Sequence, residues 1–392
     1  MNAQAVYIHI PFCHEICHYC DFAKMYYHEE IADSYLESLD KEIGMYIKNT
    51  RAIVRTIYIG GGTPTSLNEK QLERLFQIIS SYFNINEIEE YTIEANPGEF
   101  QEGHVQLMAQ YGVNRVSLGV QVLDNDYLTE LNRIHSVEDV DRSVSMLQSY
   151  GLNNISMDFI YALPNQSLEH FQSTLKQALS YDLPHYSSYA LQIEPKTVFY
   201  MRYQKGKLSK PKEEEEAKMF HALIDLMAAH GLNHYEISNF SKPGYESKHN
   251  LTYWDNVPYY AFGAGAHGYL NGERYVNLRP VNHYEDQIKQ GVKPVLHSEE
   301  VPLKEQVEEE MFLGLRRQSG VSDHLFKEKY GFSMFDLYNK EIDYLQQQGW
   351  INQFDQTISL TREGMLFGND VFASFLIDDD VWNKKFPIDS LS

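Results

Sequence analysis

Up to about residue 200, the sequence alternates short apolar runs with longer segments of helical periodicity. The runs are rich in β-branched and aromatic residues, as buried strands are. They are Ala5–Ile10, Ala52–Ile59, Glu90–Ala95, Val113–Val120, Asn154–Ile160 and Tyr186–Leu191. The segments between them place apolar residues on one helical face, as Leu36, Leu39, Ile43 and Ile47 do. Because successive strand–helix units form parallel sheets through right-handed crossovers, the pattern predicts an α/β fold, an incomplete (β/α)6 TIM-like barrel.

The repeat fades after about residue 200, and a second pattern follows. It consists of a helix over Glu213–Ala229, a strand-like His234–Ser238, and a loop to Gly268 that is dense in glycine, asparagine and aromatic residues. Helical patterns then cover Glu305–Leu315 and Ser333–Gln348, and Trp350–Leu360 follows as a β-wing. We predict two domains: a barrel over residues 1–295, with a loop region at about 234–268, and a smaller α+β, winged-helix-like domain over 296–392.

The composition narrows the functional classes. The chain has 392 residues, 43% of them hydrophobic and 22% charged, with a formal net charge of −22. This charge would repel nucleic acids and anionic lipid head groups, so no nucleic acid partner is expected. No stretch approaches the roughly 20 apolar residues of a membrane-spanning helix, and the N-terminus lacks the features of a signal peptide. We therefore expect a cytoplasmic protein that is not an integral membrane protein.

The chain contains three cysteines, which lie close together directly after the first predicted strand. Cys13, Cys17 and Cys20 have the spacing C-x3-C-x2-C, and this grouping favours metal binding over disulfide formation. Three thiolates leave one iron of a [4Fe-4S] cluster open to an external ligand. If the amino and carboxylate groups of S-adenosylmethionine chelate that iron, an electron from the cluster can cleave the adjacent C–S bond and release a deoxyadenosyl radical.

A zinc site is the alternative interpretation of the same cysteines. Three cysteines and one histidine form a sound tetrahedral ligand set, and His9, His14 or His18 could complete it. The three-residue first gap and the absence of a second ligand pair elsewhere in the sequence count against zinc. A zinc-stabilised interaction protein is the functional class that this alternative would imply.

Further polar and glycine-rich positions follow the later predicted strands. Because chemistry in such sheets sits at the carboxyl ends of the strands, we expect these residues to line one cleft. A carboxylate inside an apolar strand costs several kcal/mol unless it is partnered, so Asp158 is expected to point into the barrel at a ligand or at Arg133. The positions are Gly60, Gly61, Gly62, Thr63, Glu94, Gln121, Arg133 and Asp158, with the turn Phe262–Gly268 as a further candidate.

The cysteine loop resembles the signature of the radical SAM superfamily. Together with the segment Tyr7–Cys13 and the polar positions above, it resembles more narrowly the oxygen-independent coproporphyrinogen oxidase group, the HemN/HemW family, over essentially the whole chain. The resemblance implies that Cys13, Cys17 and Cys20 hold the cluster. It also implies an S-adenosylmethionine site formed by Tyr7, Tyr19, Gly61, Gly62, Thr63, Glu94, Gln121, Arg133 and Asp158, to which His267 of the glycine-rich turn is added.

Two departures from the oxidase place the chain nearer the HemW branch. The oxidase has a further cysteine two residues after the third, where this chain has Phe22, and it has a long arm before the cysteine loop. The segment Lys248–Trp254 contains H-N-x-x-Y-W, which the HemW branch associates with haem. A neutral imidazole is a good axial ligand for haem iron, and aromatic rings suit a macrocycle. The predicted haem-binding residues are His249, Asn250, Tyr253 and Trp254.

By this resemblance we expect a haem chaperone that binds a [4Fe-4S] cluster, S-adenosylmethionine and haem. It would deliver haem to membrane respiratory haem proteins, acting in the cytoplasm or peripherally at the membrane. The alternative is an oxygen-independent coproporphyrinogen III oxidase or another radical SAM enzyme of tetrapyrroles. No catalytic residue is assigned, and a homodimer is one assembly that the sequence allows.

Overall fold

The computed structural model describes residues 3–48 and 51–386. Its contacts divide into two compact units. The first comprises residues 1–233, 238–249 and 258–299, and the second comprises 234–237, 250–257 and 300–392. The second unit therefore takes two short segments out of the region that the sequence assigned to the barrel. No helix among the described residues has the length and apolar character needed to cross a membrane.

The strands and helices are mostly short. The strands are β1 Ala5–Ile10, β2 Phe12–Cys13, β3 Met25–Tyr26, β4 Thr56–Gly61, β5 Glu90–Ala95, β6 Arg115–Gln121, β7 Ile155–Tyr161, β8 His185–Ala190, β9 Asn233–Glu236, β10 Asn239–Ser241, β11 Tyr259–Phe262, β12 His267–Leu270, β13 Glu273–Asn277, β14 Val295–Glu300, β15 Val321–Ser322, β16 Ile351–Phe354 and β17 Thr357–Leu360. The helices are α1 Glu29–Tyr46, α2 Glu69–Tyr82, α3 Glu102–Gln110, α4 Asn125–Glu130, α5 Val137–Ser149, α6 Leu168–Leu179, α7 Val198–Gln204, α8 Glu213–Ala229, α9 Lys248–Trp254, α10 Val281–Lys289, α11 Leu303–Gly314, α12 Asp323–Tyr330, α13 Met334–Gln347, α14 Arg362–Leu366, α15 Gly368–Ala373 and α16 Asp379–Lys385. Two 3-10 turns lie at Pro64–Ser66 and Ile85–Glu87.

Six parallel strands form the centre of the first unit, in the order β1, β4, β5, β6, β7 and β8. The sheet does not close, because β11 lies beside β1 in parallel and β10 lies beside β8 in antiparallel orientation. This is the partial α/β barrel that the sequence predicts. Each of the six strands lies within a few residues of the range expected for it.

Alternate residues of these strands have different chemistry on the two faces of the sheet. One face carries buried apolar side chains, among them Ile8, Ile57, Ile93, Val116 and Met157. The other face carries polar side chains, many of which hydrogen-bond to one another within a strand or between neighbouring strands. These are Tyr7, His9, Thr56, Tyr58, Glu94, Arg115, Ser117, Ser156, Asp158 and His185. The interior of the barrel is therefore polar, which suits a ligand site better than a packed apolar core.

The second unit has its own apolar core, which includes Met311, Phe326, Ile342, Ile358 and Phe375. Strands β15, β17 and β16 form a small antiparallel sheet in that order. The helices α11, α12 and α13 contribute much of the remaining core. This helical unit with a β-hairpin agrees with the pattern of the sequence after residue 300.

Candidate cluster and cofactor site

The cysteine loop begins at the carboxyl end of β1. Cys13 is buried, whereas Cys17 and Cys20 are partly exposed. Burial, the largest cause, raises the pKa of Cys13 to about 12, and the nearby thiols of Cys20 and Cys17 raise it further. A cationic iron centre is the partner that would hold such a thiol as thiolate, because metal ligation deprotonates thiols outright. The donor set therefore fits a metal cluster at the mouth of the barrel.

His9 attaches this loop to the first strand. Its Nε2 lies 2.7 Å from the carbonyl oxygen of Ala23, and its Nδ1 lies 2.9 Å from the hydroxyl of Tyr7. Since a carbonyl can only accept, Nε2 carries the proton and Nδ1 accepts from the hydroxyl. Burial is the main cause that lowers the pKa of His9 to about 4, so the ring is neutral. Both ring nitrogens are engaged, and neither is left for a zinc ion.

The other two histidines of the zinc alternative are arranged differently. His18 Nδ1 lies 2.8 Å from the carbonyl oxygen of Glu130, so Nε2 is the ring nitrogen that a zinc ion could use. The ring of His14 meets the edge of Tyr27, with 5.2 Å between ring centroids. Among the described residues, no group of three or more metal-ligating side chains is arranged to hold a single metal ion.

The glycine-rich turn after β4 packs against the loop with no room for side chains. A Cβ on Gly62 would lie 2.7 Å from the carbonyl oxygen of Phe12 and 2.9 Å from the sulfur of Cys13. Gly61 has φ +118°, and a Cβ there would lie 2.4 Å from the ring of His9. Thr63 then brings its hydroxyl to 3.7 Å from the same cysteine sulfur. Gly61 must therefore be glycine because of its positive φ and its close neighbour, and Gly62 must be glycine because of its close neighbours.

Arg133 reaches the second cysteine from the loop after α4. Its Nη1 lies 3.3 Å from the sulfur of Cys17, and its Nη2 donates to Asn96 Oδ1 at 2.6 Å and to the carbonyl oxygen of Gly119 at 2.5 Å. Burial alone would lower the pKa of Arg133, but the nearby Cys17 raises it above its ordinary value. The guanidinium is therefore charged, and it presents a cation beside the cluster loop.

Glu94 lies inside the barrel at the end of β5. Its Oε1 accepts from the hydroxyl of Tyr58 at 2.8 Å, and its Oε2 accepts from the backbone N–H of Gly61 at 2.9 Å. Burial is the main cause that raises the pKa of Glu94 to about 7, against the effect of these two donors. A buried carboxylate with lone pairs left over is suited to accept from the hydroxyl or ammonium groups of a ligand.

Asp158 was expected to point into the barrel at a ligand or at Arg133. Its carboxylate lies on the interior face of the sheet, where it accepts from Ser117 Oγ at 2.7 Å and from Ser156 Oγ at 2.9 Å. The cation that lowers its pKa is Arg115, although burial is the larger effect and the net pKa is raised. Arg133 instead donates to the sulfur of Cys17. The arginine whose charge acts on Asp158 is therefore Arg115, at the start of β6, and a ligand as its partner stays a prediction.

The remaining predicted cofactor residues lie at the same end of the sheet. Tyr19 is partly buried beside Cys17, whose thiol raises its pKa after burial, the largest cause. Gln121 ends β6 with φ +69°, next to an irregularity in the pairing of β6 with β7. His267 begins β12 and is exposed. A positive φ at a residue other than glycine is a costly conformation that clusters at functional sites.

The sequence did not single out Tyr58 or Asn96 for this site. Asn96 Nδ2 donates to Thr63 Oγ1 at 2.9 Å and its Oδ1 accepts from Arg133, so it joins two predicted residues. Asn96 follows Glu94 by two positions, and Tyr58 precedes Gly60 by two. The period-2 alternation of a strand, applied to the functional residues, would have placed both of them on the interior face.

The predicted haem residues lie away from this site. His249 is fully buried at the amino ends of β4 and β5, where its Nδ1 lies 2.8 Å from Thr56 Oγ1 and its ring packs on Tyr58, with 5.1 Å between centroids. The carboxylate of Glu90 accepts from the backbone N–H groups of Lys248 and His249, each at 2.9 Å. The segment is thus held as a helix, α9, where the sequence suggested a loop.

The other three haem candidates follow in α9. Asn250, Tyr253 and Trp254 are partly buried, and the guanidinium of Arg316 lies over the ring of Trp254 at 4.4 Å from its centroid. Burial is the main cause that lowers the pKa of His249 to about 3, so its imidazole is neutral.

Comparison with known proteins identifies the family of this chain. The profile of the Radical SAM superfamily matches residues 7–178, and that of the HemN C-terminal domain matches residues 301–367. The heme chaperone HemW of Bacillus subtilis is 46% identical over 95% of this chain and 99% of its own length. The chain belongs to the HemW family. A more distant HemW, from Escherichia coli, is 30% identical over 95% of this chain and 98% of its own.

A solved structure resembles this member of the HemW family over most of its length. It is the coproporphyrinogen III oxidase HemN of Escherichia coli, with a TM-score of 0.83 over 95% of this chain and 90% of the other. The two sequences are 20% identical, so the likeness establishes the shared fold. The family resemblance expected from the sequence is confirmed.

Proposed function

We propose that this protein is a haem chaperone that holds a [4Fe-4S] cluster and S-adenosylmethionine at the carboxyl end of its barrel. The observation that carries the proposal is the convergence of three thiols, the Arg133 guanidinium and the buried Glu94 carboxylate at one cleft, in a chain whose relatives are named heme chaperones HemW. Haem and a cluster are distinct ligands, and the two proposed sites use different residues.

Cys13, Cys17 and Cys20 would hold the cluster. When bound, a cluster with one open iron supplies an electron to a sulfonium ligand. The protein's own contribution is to orient and shield these ligands. Thr63 and Arg133 contact the sulfurs of Cys13 and Cys17, and such outer hydrogen bonds tune the potential of a cluster.

S-adenosylmethionine would lie between the cysteine loop and the interior face of the sheet. The backbone at Gly61–Thr63 is free of side-chain bulk where the methionine amino group is expected, and the Arg133 cation suits its carboxylate. Glu94 would accept from the ribose or the amino group, and its other oxygen remains anchored to the N–H of Gly61. Tyr7, Tyr19, Gln121, Asp158 and His267 complete the proposed site.

Haem would be bound through His249, with Asn250, Tyr253 and Trp254 beside it. The neutral imidazole has the right protonation state for an iron ligand. In the structure described, however, the ring is fully buried. Ligation therefore requires the start of α9 to open, which breaks the bond to Thr56 and the stacking on Tyr58. We propose that haem binds this opened state, from which it is delivered to membrane respiratory haem proteins.

The test is a haem titration of anaerobically prepared protein, followed by the Soret absorbance. His249→Ala is compared with wild type and with His104→Ala, which removes another buried imidazole, bonded to the carbonyl oxygen of Leu67. We expect His249→Ala to weaken haem binding at least roughly tenfold and His104→Ala to leave it unchanged. Equal haem affinity in His249→Ala and wild type would contradict the ligand assignment, and absence of haem binding by wild type would contradict the function.

A further inference from the structure

We infer that Tyr58 is a positioning residue that couples S-adenosylmethionine binding at Glu94 to the release of His249 from the barrel interior. The inference rests on the proposed function, because it takes Glu94 as a cofactor residue and His249 as a haem ligand. Tyr58 contacts both of these side chains. Its hydroxyl donates to Glu94 Oε1 at 2.8 Å, and its ring packs on that of His249 with 5.1 Å between centroids and 33° between planes.

The side chains of Tyr58 and Glu94 pack closely around Gly60. A Cβ added to Gly60 of β4 would lie 2.8 Å from the Glu94 carboxyl carbon and 2.8 Å from the Tyr58 ring. Two oxygens of the carboxylate are already occupied by Tyr58 and by the N–H of Gly61. A ligand that donates to Oε1 would compete with the Tyr58 hydroxyl for that oxygen, while Oε2 stays on the N–H of Gly61, so the hydroxyl shifts or loses its acceptor.

The ring of Tyr58 also stacks on that of Tyr7. Their centroids are 6.2 Å apart, their planes differ by 28°, and Tyr7 is itself expected to border the cofactor. Movement at the cofactor site therefore reaches Tyr58 through two contacts, one polar and one aromatic. In the closed state, His249 bonds to Thr56, and its backbone N–H donates to Glu90.

The arrangement supplies a two-state element of the kind that coupling between sites requires. In the closed state, Tyr58 stacks on His249 and donates to Glu94. In the open state, the cofactor holds Glu94, Tyr58 is displaced, and His249 loses the ring that packs on it. Coupling is reciprocal, so haem bound to His249 would strengthen cofactor binding by the same factor that the cofactor strengthens haem binding.

The test uses full-length, cluster-loaded protein, with hydrogen exchange of the Lys248 and His249 amides measured with and without saturating S-adenosylmethionine. Both amides donate to Glu90 in the closed state, so they report opening without any need for haem. Haem titrations with and without S-adenosylmethionine are run in parallel. The test variant is Tyr58→Phe, which keeps the ring and removes the hydroxyl. The control variant is Tyr91→Phe in the adjacent strand β5, which removes a buried hydroxyl that has no hydrogen-bond partner.

We expect S-adenosylmethionine to speed exchange and tighten haem binding at least about fivefold in wild type and Tyr91→Phe, and less than about twofold in Tyr58→Phe. A cofactor effect of the same size in Tyr58→Phe overturns the inference, and so does wild-type exchange that ignores the cofactor. If exchange responds as expected but no variant binds haem, the coupling holds and the haem function fails.

Discussion

Replacement of Gly61 by alanine tests how the glycine-rich turn supports the cysteine loop. At φ +118°, a residue with a Cβ is strained by on the order of 1–3 kcal/mol. The new Cβ would also lie 2.4 Å from His9, whose ring must then move and lose its bonds to Tyr7 and Ala23. Two lost hydrogen bonds cost about 1 kcal/mol each. We therefore expect a destabilisation of about 3–5 kcal/mol.

The matched control is Gly151→Ala. Gly151 also has a positive φ, +81°, but a Cβ there would meet nothing within 4 Å, so it shows the cost of backbone conformation alone. Guanidinium unfolding of the metal-free protein, followed by circular dichroism, gives both values. Iron content after anaerobic reconstitution shows whether the loop still accepts a cluster. Equal destabilisation in Gly61→Ala and Gly151→Ala, with iron bound normally by both, would refute the claim that His9 and the turn support the loop together.

Three further predictions concern the cofactor, the pH dependence and haem uptake. Arg133→Lys keeps the charge but loses the planar fork, so S-adenosylmethionine affinity by equilibrium dialysis should fall roughly tenfold, whereas unchanged affinity would remove Arg133 from the site. Burial is the main cause that raises the pKa of Glu42 to about 7. The folded state therefore binds more protons than the unfolded state between pH 4.5 and 7. The free energy of unfolding should fall by about 1–3 kcal/mol as pH rises through that window. Glu42→Gln should flatten this fall in unfolding experiments, and an unchanged slope would assign it to other groups. Because His249 is buried, the rate of haem association should level off at high haem concentration, and a rate that stays linear would show that no opening step limits it.

Local sequence was enough to place the barrel, because its six strands are continuous β-branched and aromatic runs. It was not enough for α9, whose residues include weak helix formers such as His249 and Asn250. That helix begins where Glu90, about 160 residues earlier in the chain, accepts from its first amides. Such a partner is visible only after the fold has brought β5 beside the segment.

The site shows the same division. The cysteine loop and the glycine-rich turn are contiguous motifs with their own chemistry, and both lie where the sequence placed them. The serine partners of Asp158 could not be predicted because they depend on the register of β6 against β7, which brings Ser117 opposite Ser156. Tyr58 was missed because a tyrosine in an apolar strand is usually a core residue. Its proposed role follows from its contacts with Glu94 and His249.

Metal analysis of anaerobically reconstituted protein, combined with electron paramagnetic resonance of its reduced form, tests the central claim most directly. We predict about four iron atoms per chain and a signal that changes when S-adenosylmethionine is added, with both lost in Cys17→Ser. Stoichiometric zinc without iron, or a cluster signal indifferent to S-adenosylmethionine, would contradict the proposed site.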